Sequence, residues 1–243
     1  MLYLIGMGLN NESDLSLKAI DAMKKCSLVY CELYTGKWFG DIKKLESMIE
    51  KKIEILPREE VESDFLVKEA QENDIALLIP GDPLTATTHM ELITEAKNKG
   101  IETEIIHSSS IFTAVAESGL QLYKFGRTTT LVYPEHGYEP SSPYDVIKEN
   151  KKDGLHTLVL LDIKENRNMT IKEAAELLLK NNAISKDEKI VACSQLGGKD
   201  QLIKYAPASD LLKDFPVPST ILIPGKLNFK EEEALKKWES KMS

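Results

Sequence analysis

Three short loops in this chain of 243 residues carry the residue types that let a backbone close around a small ligand. The first, Gly6-Met7-Gly8-Leu9, directly follows the apolar run 2–5, where small residues allow a tight turn and a close approach. The third glycine of a dinucleotide fingerprint is missing, because position 11 is Asn11, and no Walker-type phosphate loop occurs. This loop reads either as a ligand-approach loop or as a plain tight turn. The second, Pro80-Gly81-Asp82-Pro83-Leu84, follows the strongest apolar run, 75–79. Open α/β sheets place ligands beyond the carboxyl ends of their strands, so it stands where a site belongs; the alternative is a Gly-Asp-Pro turn with no further role. The third, Pro224-Gly225-Lys226-Leu227-Asn228, follows the run 220–223. Loops of this kind at strand ends of two domains predict a shared small-molecule cleft.

Other chemistries find little support. His89, His107, His136 and His156 are far apart and lack metal-ligand spacing, so no metal site is predicted. Ser108-Ser109-Ser110 is not a nucleophile elbow and reads as a polar linker. Cys26, Cys31 and Cys193 form no CxxC pair, which argues against both a disulfide framework and a structural zinc.

The elements that must position these loops are legible as near-continuous apolar runs at 2–5, 28–30, 53–56, 75–79, 130–133, 157–163, 190–193 and 221–223. Such runs suit strands buried on both faces. Helical spacing lies between them, as in Leu15, Ala19, Ala22 and Met23, or Ala174, Leu177, Leu178 and Leu179. The alternation predicts a mostly parallel α/β architecture. Ser13 with Ser16, and Thr170 with Glu173, mark helix starts. A domain boundary near Ser108 gives an N-terminal α/β domain, 1–107, and a C-terminal one, 108–243. The turn-rich segment 134–143 reads as a long surface loop, either a substrate contact or a connector. The tail, 230–243, reads as a charged helix docked through Leu235 and Trp238.

Composition bounds the function. Hydrophobic residues at 42% and charged residues at 29% support a packed core with a solvated surface. The start lacks a signal-peptide pattern, and no apolar run approaches a membrane span, so a cytoplasmic protein without membrane contact is expected. A net charge of -8 repels phosphate backbones and disfavours nucleic acid as a partner.

The segments Leu4-Ile5-Gly6-Met7-Gly8-Leu9, Asp14-Leu15-Ser16-Leu17-Lys18-Ala19 and Pro80-Gly81-Asp82-Pro83-Leu84 together resemble the tetrapyrrole-methylase superfamily. Further segments narrow this: 81–89, Tyr123-Lys124-Phe125-Gly126, 144–150, Gly154-Leu155-His156-Thr157-Leu158 and Leu161-Asp162-Ile163-Lys164 resemble the diphthine synthases. Corrin methylases usually continue the first loop as Gly-Pro-Gly-Asp, whereas here Gly8 is followed by Leu9-Asn10-Asn11, which turns the expectation away from a tetrapyrrole substrate. The resemblance implies two α/β domains with a cofactor cleft between them, S-adenosylmethionine as cofactor, S-adenosylhomocysteine as product, and a homodimer. It also implies that the amino group of a modified histidine on elongation factor 2 is methylated repeatedly. Cofactor contacts carried over by resemblance fall on Leu9, Asp82, Thr85, Ser110 and Ile111, and in the second domain on Leu161, Leu196 and Asn228. Relatives carry histidine where this chain has Asn228, so a contact there is expected through its backbone. No residue is assigned as the base. Methylation of a tetrapyrrole or of ribosomal RNA, and a non-catalytic nucleotide-binding module, remain the alternatives.

Overall fold

The computed structural model describes residues 1–135, 137–138, 140–164 and 167–239. His136 and Glu139 of the turn-rich segment, and residues 240–243 of the tail, lie outside the described residues. The chain divides into two compact units, Met1–Ile111 and Phe112–Ser243.

The first unit alternates strand and helix: β1 Leu2–Gly6, α1 Leu17–Lys25, β2 Leu28–Cys31, α2 Ile42–Ile49, β3 Ile53–Ile55, α3 Arg58–Val61, α4 Phe65–Glu72, β4 Ile75–Ile79, α5 Met90–Asn98 and β5 Thr103–Ile106. Each strand pair is parallel and the order is β3-β2-β4-β1-β5, with Leu2 aligned to both Ile75 and Thr103. Both faces are covered. Leu66, Val67 and Ala70 of α4 and Leu92, Ile93 and Ala96 of α5 pack against Leu2, Leu4 and Leu77. On the other face, Ala19, Ala22 and Met23 of α1 and Leu45 and Ile49 of α2 pack against Ile5, Ala76 and Leu78. That two-sided burial is why β4 is apolar at every position. The cap of α1 is Ser16, whose hydroxyl accepts from the Ala19 N–H at 3.1 Å; Ser13 belongs to a preceding 3₁₀ turn. The sequence reading missed β5, an edge strand that is mostly half-buried and carries Glu104.

The short α6, Ile111–Ala114, falls at the division. In the second unit follow β6 Thr129–Leu131, α7 Ser142–Lys152, β7 Thr157–Leu161, β8 Ile163–Lys164, β9 Arg167–Asn168, α8 Ile171–Lys180, β10 Lys189–Ser194, β11 Leu202–Pro207, β12 Ser219–Ile223 and α9 Phe229–Leu235. Here the expectation of a mostly parallel sheet fails. The order is β11-β10-β12-β7-β6, and only β6 and β7 run parallel. Apolar runs report burial on two faces but carry no sign of strand direction. The run 157–163 also breaks at Asp162 into β7 and the small β8–β9 pair. Helix α7 takes Ser142 and Pro143 from the segment read as loop.

Thr170 and Glu173 form the expected capping box on α8. Leu235 is buried and the Trp238 indole N–H donates to the Ser118 carbonyl at 3.0 Å, so the tail docks as read. No helix among the described residues is long and apolar enough to cross a membrane.

Leu77, fully buried in the middle of the first sheet, sets a test of this core. Leu77→Ala is expected to lower the unfolding free energy by about 2–5 kcal/mol in urea titration, and a change under about 1 kcal/mol would contradict the packing described.

Candidate functional site

In the first unit the chain leaves β1, β4 and β5 at one edge of the sheet, and the loops that follow are joined by backbone bonds. Gly8 and Gly81 exchange two hydrogen bonds, at 3.1 and 2.9 Å, outside any strand. Beneath them Gly6 is closely overlaid: a Cβ there would lie 2.6 Å from the Gly81 carbonyl oxygen, so only hydrogen fits. The Gly6 and Gly81 loops are thus one substructure. Space is open on the outer side of Gly81, where an added Cβ would meet nothing within 4 Å.

Asp82 organises this edge. Its Oδ1 accepts from the Leu84 N–H at 3.1 Å and the Thr85 hydroxyl at 3.3 Å, and its Oδ2 from His107 Nδ1 at 2.7 Å and the Ser108 N–H at 3.3 Å. A carboxylate has about four lone-pair sites, and these four donors fill them. The side chain therefore has no acceptor left for a ligand; its backbone N–H donates to no described residue. Thr85 is tied to Asp82 through its hydroxyl, Leu9 is half-buried on the first loop, and Ser110 and Ile111 lie two and three residues beyond Ser108. The structure brings four of these predicted residues onto loops at one end of the first sheet, with Ile111 opening α6 just beyond.

Further along the second loop, the Pro83 carbonyl accepts from the Thr87 hydroxyl at 2.6 Å and lies 3.3 Å from His89 Nδ1. His89 is buried and burial lowers its pKa, so it is a neutral ring donating from Nδ1. A neighbouring loop was missed by the sequence reading. Glu32, fully buried after β2, accepts from the N–H groups of Tyr34 and Thr35 at 2.9 and 3.0 Å and from the Thr35 hydroxyl. Burial pushes its carboxyl up against those bonds. The segment it anchors reaches the site loops, since the Phe39 N–H donates to the Asn10 carbonyl at 2.8 Å.

In the second unit Leu161 closes β7 and Leu196 follows β10, both buried. Both strands are antiparallel to β12, so these residues share one end of the sheet. Asn228 does not join them there. The loop Pro224 to Asn228 leaves the opposite end of β12, where Ile223 aligns with Thr157 at the start of β7. The Asn228 side-chain oxygen caps α9 by accepting from Lys230 and Glu231 N–H groups, and its amide nitrogen donates to Gln121 Oε1 at 2.8 Å. Its backbone N–H donates to Glu231 at 3.0 Å and its carbonyl accepts from the Glu232 N–H at 3.0 Å, which leaves the second lone pair of that carbonyl and the second amide hydrogen for a ligand.

That loop is held by a buried network. The Gly225 N–H donates to His156 Nδ1 at 2.8 Å, which leaves the ring proton on Nε2, 2.9 Å from Glu231 Oε1. Glu231 also accepts from the Gln121 N–H at 3.0 Å and from the Lys124 ammonium. Burial lowers the His156 pKa despite the pull of Glu231. Burial raises that of Glu231, but the bonds from Lys124, Asn228, Gln121 and His156 outweigh it and hold the carboxyl at about 2. Gly225 is needed for its fit, as a Cβ would lie 2.4 Å from the Leu155 carbonyl oxygen. Several residues that carry the family resemblance are structural in the same sense: the Asn150 amide donates to the Arg127 carbonyl at 2.8 Å and to Thr157 Oγ1 at 3.0 Å. The three cysteines are buried, and burial pushes Cys26 to about 11 and Cys193 to about 12, so neither is a thiolate at neutral pH.

The chain matches the family model of Tetrapyrrole (Corrin/Porphyrin) Methylases over residues 1–212 and belongs to that family. It is 46% identical to the diphthine synthase of Methanocaldococcus jannaschii over 97% of this chain and 98% of that protein. The diphthine synthase of Methanococcus aeolicus is 45% identical, with 97% of each chain covered. A crystal structure of diphthine synthase superposes with a TM-score of 0.90 at 34% identity, covering 98% of this chain and 95% of that one. Within the methylase family the chain takes its place among the diphthine synthases.

Both His156 and Glu231 have pKa values below their unfolded references of 6.5 and 4.5, so their stabilisation is complete above those values and is lost on acidification. The urea midpoint of the wild type is expected to fall from pH 7 to pH 5 as unfolding takes up the histidine proton. His156→Gln removes that titration, and equal pH slopes for the two proteins would rule out the assignment.

Proposed function

We propose that this methylase transfers methyl groups from S-adenosylmethionine to the amino group of a modified histidine on elongation factor 2, in diphthamide biosynthesis, releasing S-adenosylhomocysteine. The observation that carries the reading is the near-full-length similarity to diphthine synthases. A cytoplasmic setting accords with three free cysteines, and assembly as a homodimer follows from the same resemblance.

The residues of the first unit suit the cofactor. Gly81 backs onto open space, the Asp82 backbone N–H is available, and Leu9 offers an apolar side chain at the same edge. We assign Leu9, Asp82, Thr85, Ser110 and Ile111 to cofactor binding, with Leu161 and Leu196 from one end of the second sheet and, from the loop at its opposite end, Asn228 through the free lone pair of its carbonyl. Bound there, S-adenosylmethionine supplies an electrophilic methyl on a sulfonium. The protein's share is alignment of acceptor and donor, since methyl transfer is an in-line displacement whose rate depends on orientation. Asp82 serves that alignment indirectly, by fixing the loop that carries Thr85 and the chain that leads to Ser110.

The deciding experiment is transfer of labelled methyl to elongation factor 2 bearing the unmethylated precursor, read by mass spectrometry of the modified histidine. Successive methyl increments on that residue are the expected result. Cofactor binding without transfer to an intact precursor would move the assignment to another acceptor. Asp82→Ala should weaken cofactor affinity roughly 10-fold or more while the protein stays folded, because freeing the loop raises the ordering cost of binding. Unchanged affinity in calorimetry would remove Asp82 from the site.

A further inference from the structure

The chemistry just described leaves one task unassigned. An alkyl ammonium is protonated at neutral pH and has no lone pair, so each methylation must be preceded by loss of a proton. Among the described histidines, His89 and His156 are buried, and both ring nitrogens of His156 are engaged. His107 differs. It lies directly after β5, beside the loops assigned to the cofactor, and its side chain is 68% exposed.

We propose that His107, held by Asp82, is the base that deprotonates the acceptor ammonium. Asp82 accepts four hydrogen bonds and is a carboxylate, so the short 2.7 Å contact obliges His107 Nδ1 to carry the proton. The neutral ring then has its lone pair on Nε2, which has no hydrogen-bond partner among the described residues. The carboxylate fixes the tautomer, limits ring rotation and stabilises the imidazolium formed when Nε2 takes a proton. In the step itself the N–H bond of the ammonium breaks, its electron pair stays on nitrogen as the nucleophilic lone pair, and the proton bonds to Nε2. Exposure lets the ring return that proton to water before the next round. The same cycle serves primary, secondary and tertiary amines, because each is protonated before it attacks. One base thus suffices for a quaternary product.

The proposal rests on an amine acceptor, as read under the proposed function, and the tests separate the two. Nitrogen NMR of the imidazole rings in the full-length protein, without any acceptor, should show His107 as the Nδ1–H tautomer; the Nε2–H tautomer would overturn the proposal. His107→Asn keeps a donor near the Nδ1 position but has no basic Nε2. It should bind S-adenosylmethionine within about twofold of wild type and lose about 100-fold or more in kcat, with partial rescue by added imidazole. Retention of kcat within threefold, or a loss matched by weaker cofactor binding and not rescued, assigns His107 a structural role and overturns the proposal. If the wild type itself transfers no methyl to the precursor, the substrate reading fails and the base assignment falls with it.

Discussion

The Asp82 carboxylate is the interaction on which the ligand edge of the first unit depends. It draws donors from its own loop, at Leu84 and Thr85, and from the chain beyond β5, at His107 and Ser108. Buried charge is costly unless fully hydrogen-bonded, and here the bonds are supplied by groups that must converge for the sheet edge to take this form. Through the mutual bonds of Gly8 and Gly81, the first loop is carried into the same arrangement. Apolar packing builds the sheet, but a single polar residue sets the relation of the loops at its end.

Glu231 plays the corresponding part in the second unit, gathering Gln121, Lys124, His156 and Asn228 around the start of α9. Each carboxylate holds a histidine, with opposite outcomes. His156 is sealed in, with both nitrogens committed, so its protonation breaks structure. His107 is held by one nitrogen and otherwise faces outward. The same kind of carboxylate–histidine contact is sealed inside the second unit and open to solvent in the first.

The interior strands of the first unit were legible because double-sided burial demands continuous apolar runs, and β1, β2 and β4 show them; the edge strand β3, Ile53-Glu54-Ile55, is largely exposed and was legible only as part of the run 53–56. The edge strand β5 was not, since Glu104 and half-exposure break the pattern, and missing it concealed that His107 stands at a strand end. Strand direction in the second unit was invisible for a different reason: β10 and β12 are as apolar as parallel strands, being buried on both faces. The Gly81-Asp82 loop was legible from its place after β4. The role of the Asp82 side chain was not, because its partners at 107 and 108 are distant in sequence and only folding brings them together. His156 and Glu231, 75 positions apart, were hidden in the same way.

The order of the first sheet bears on how such a chain emerges during synthesis. β1 lies between β4 and β5, so Leu2 has no strand partner until Ile75 and Thr103 have been made. At about 5–20 residues per second, an apolar strand waits some seconds before either neighbour leaves the ribosome. Until then β2 and β3 can pair only with each other, since β4 must arrive to join β2 to β1. The residues of β1, interior in the finished sheet, are thus for a time an uncovered apolar segment open to pairing with the wrong chain.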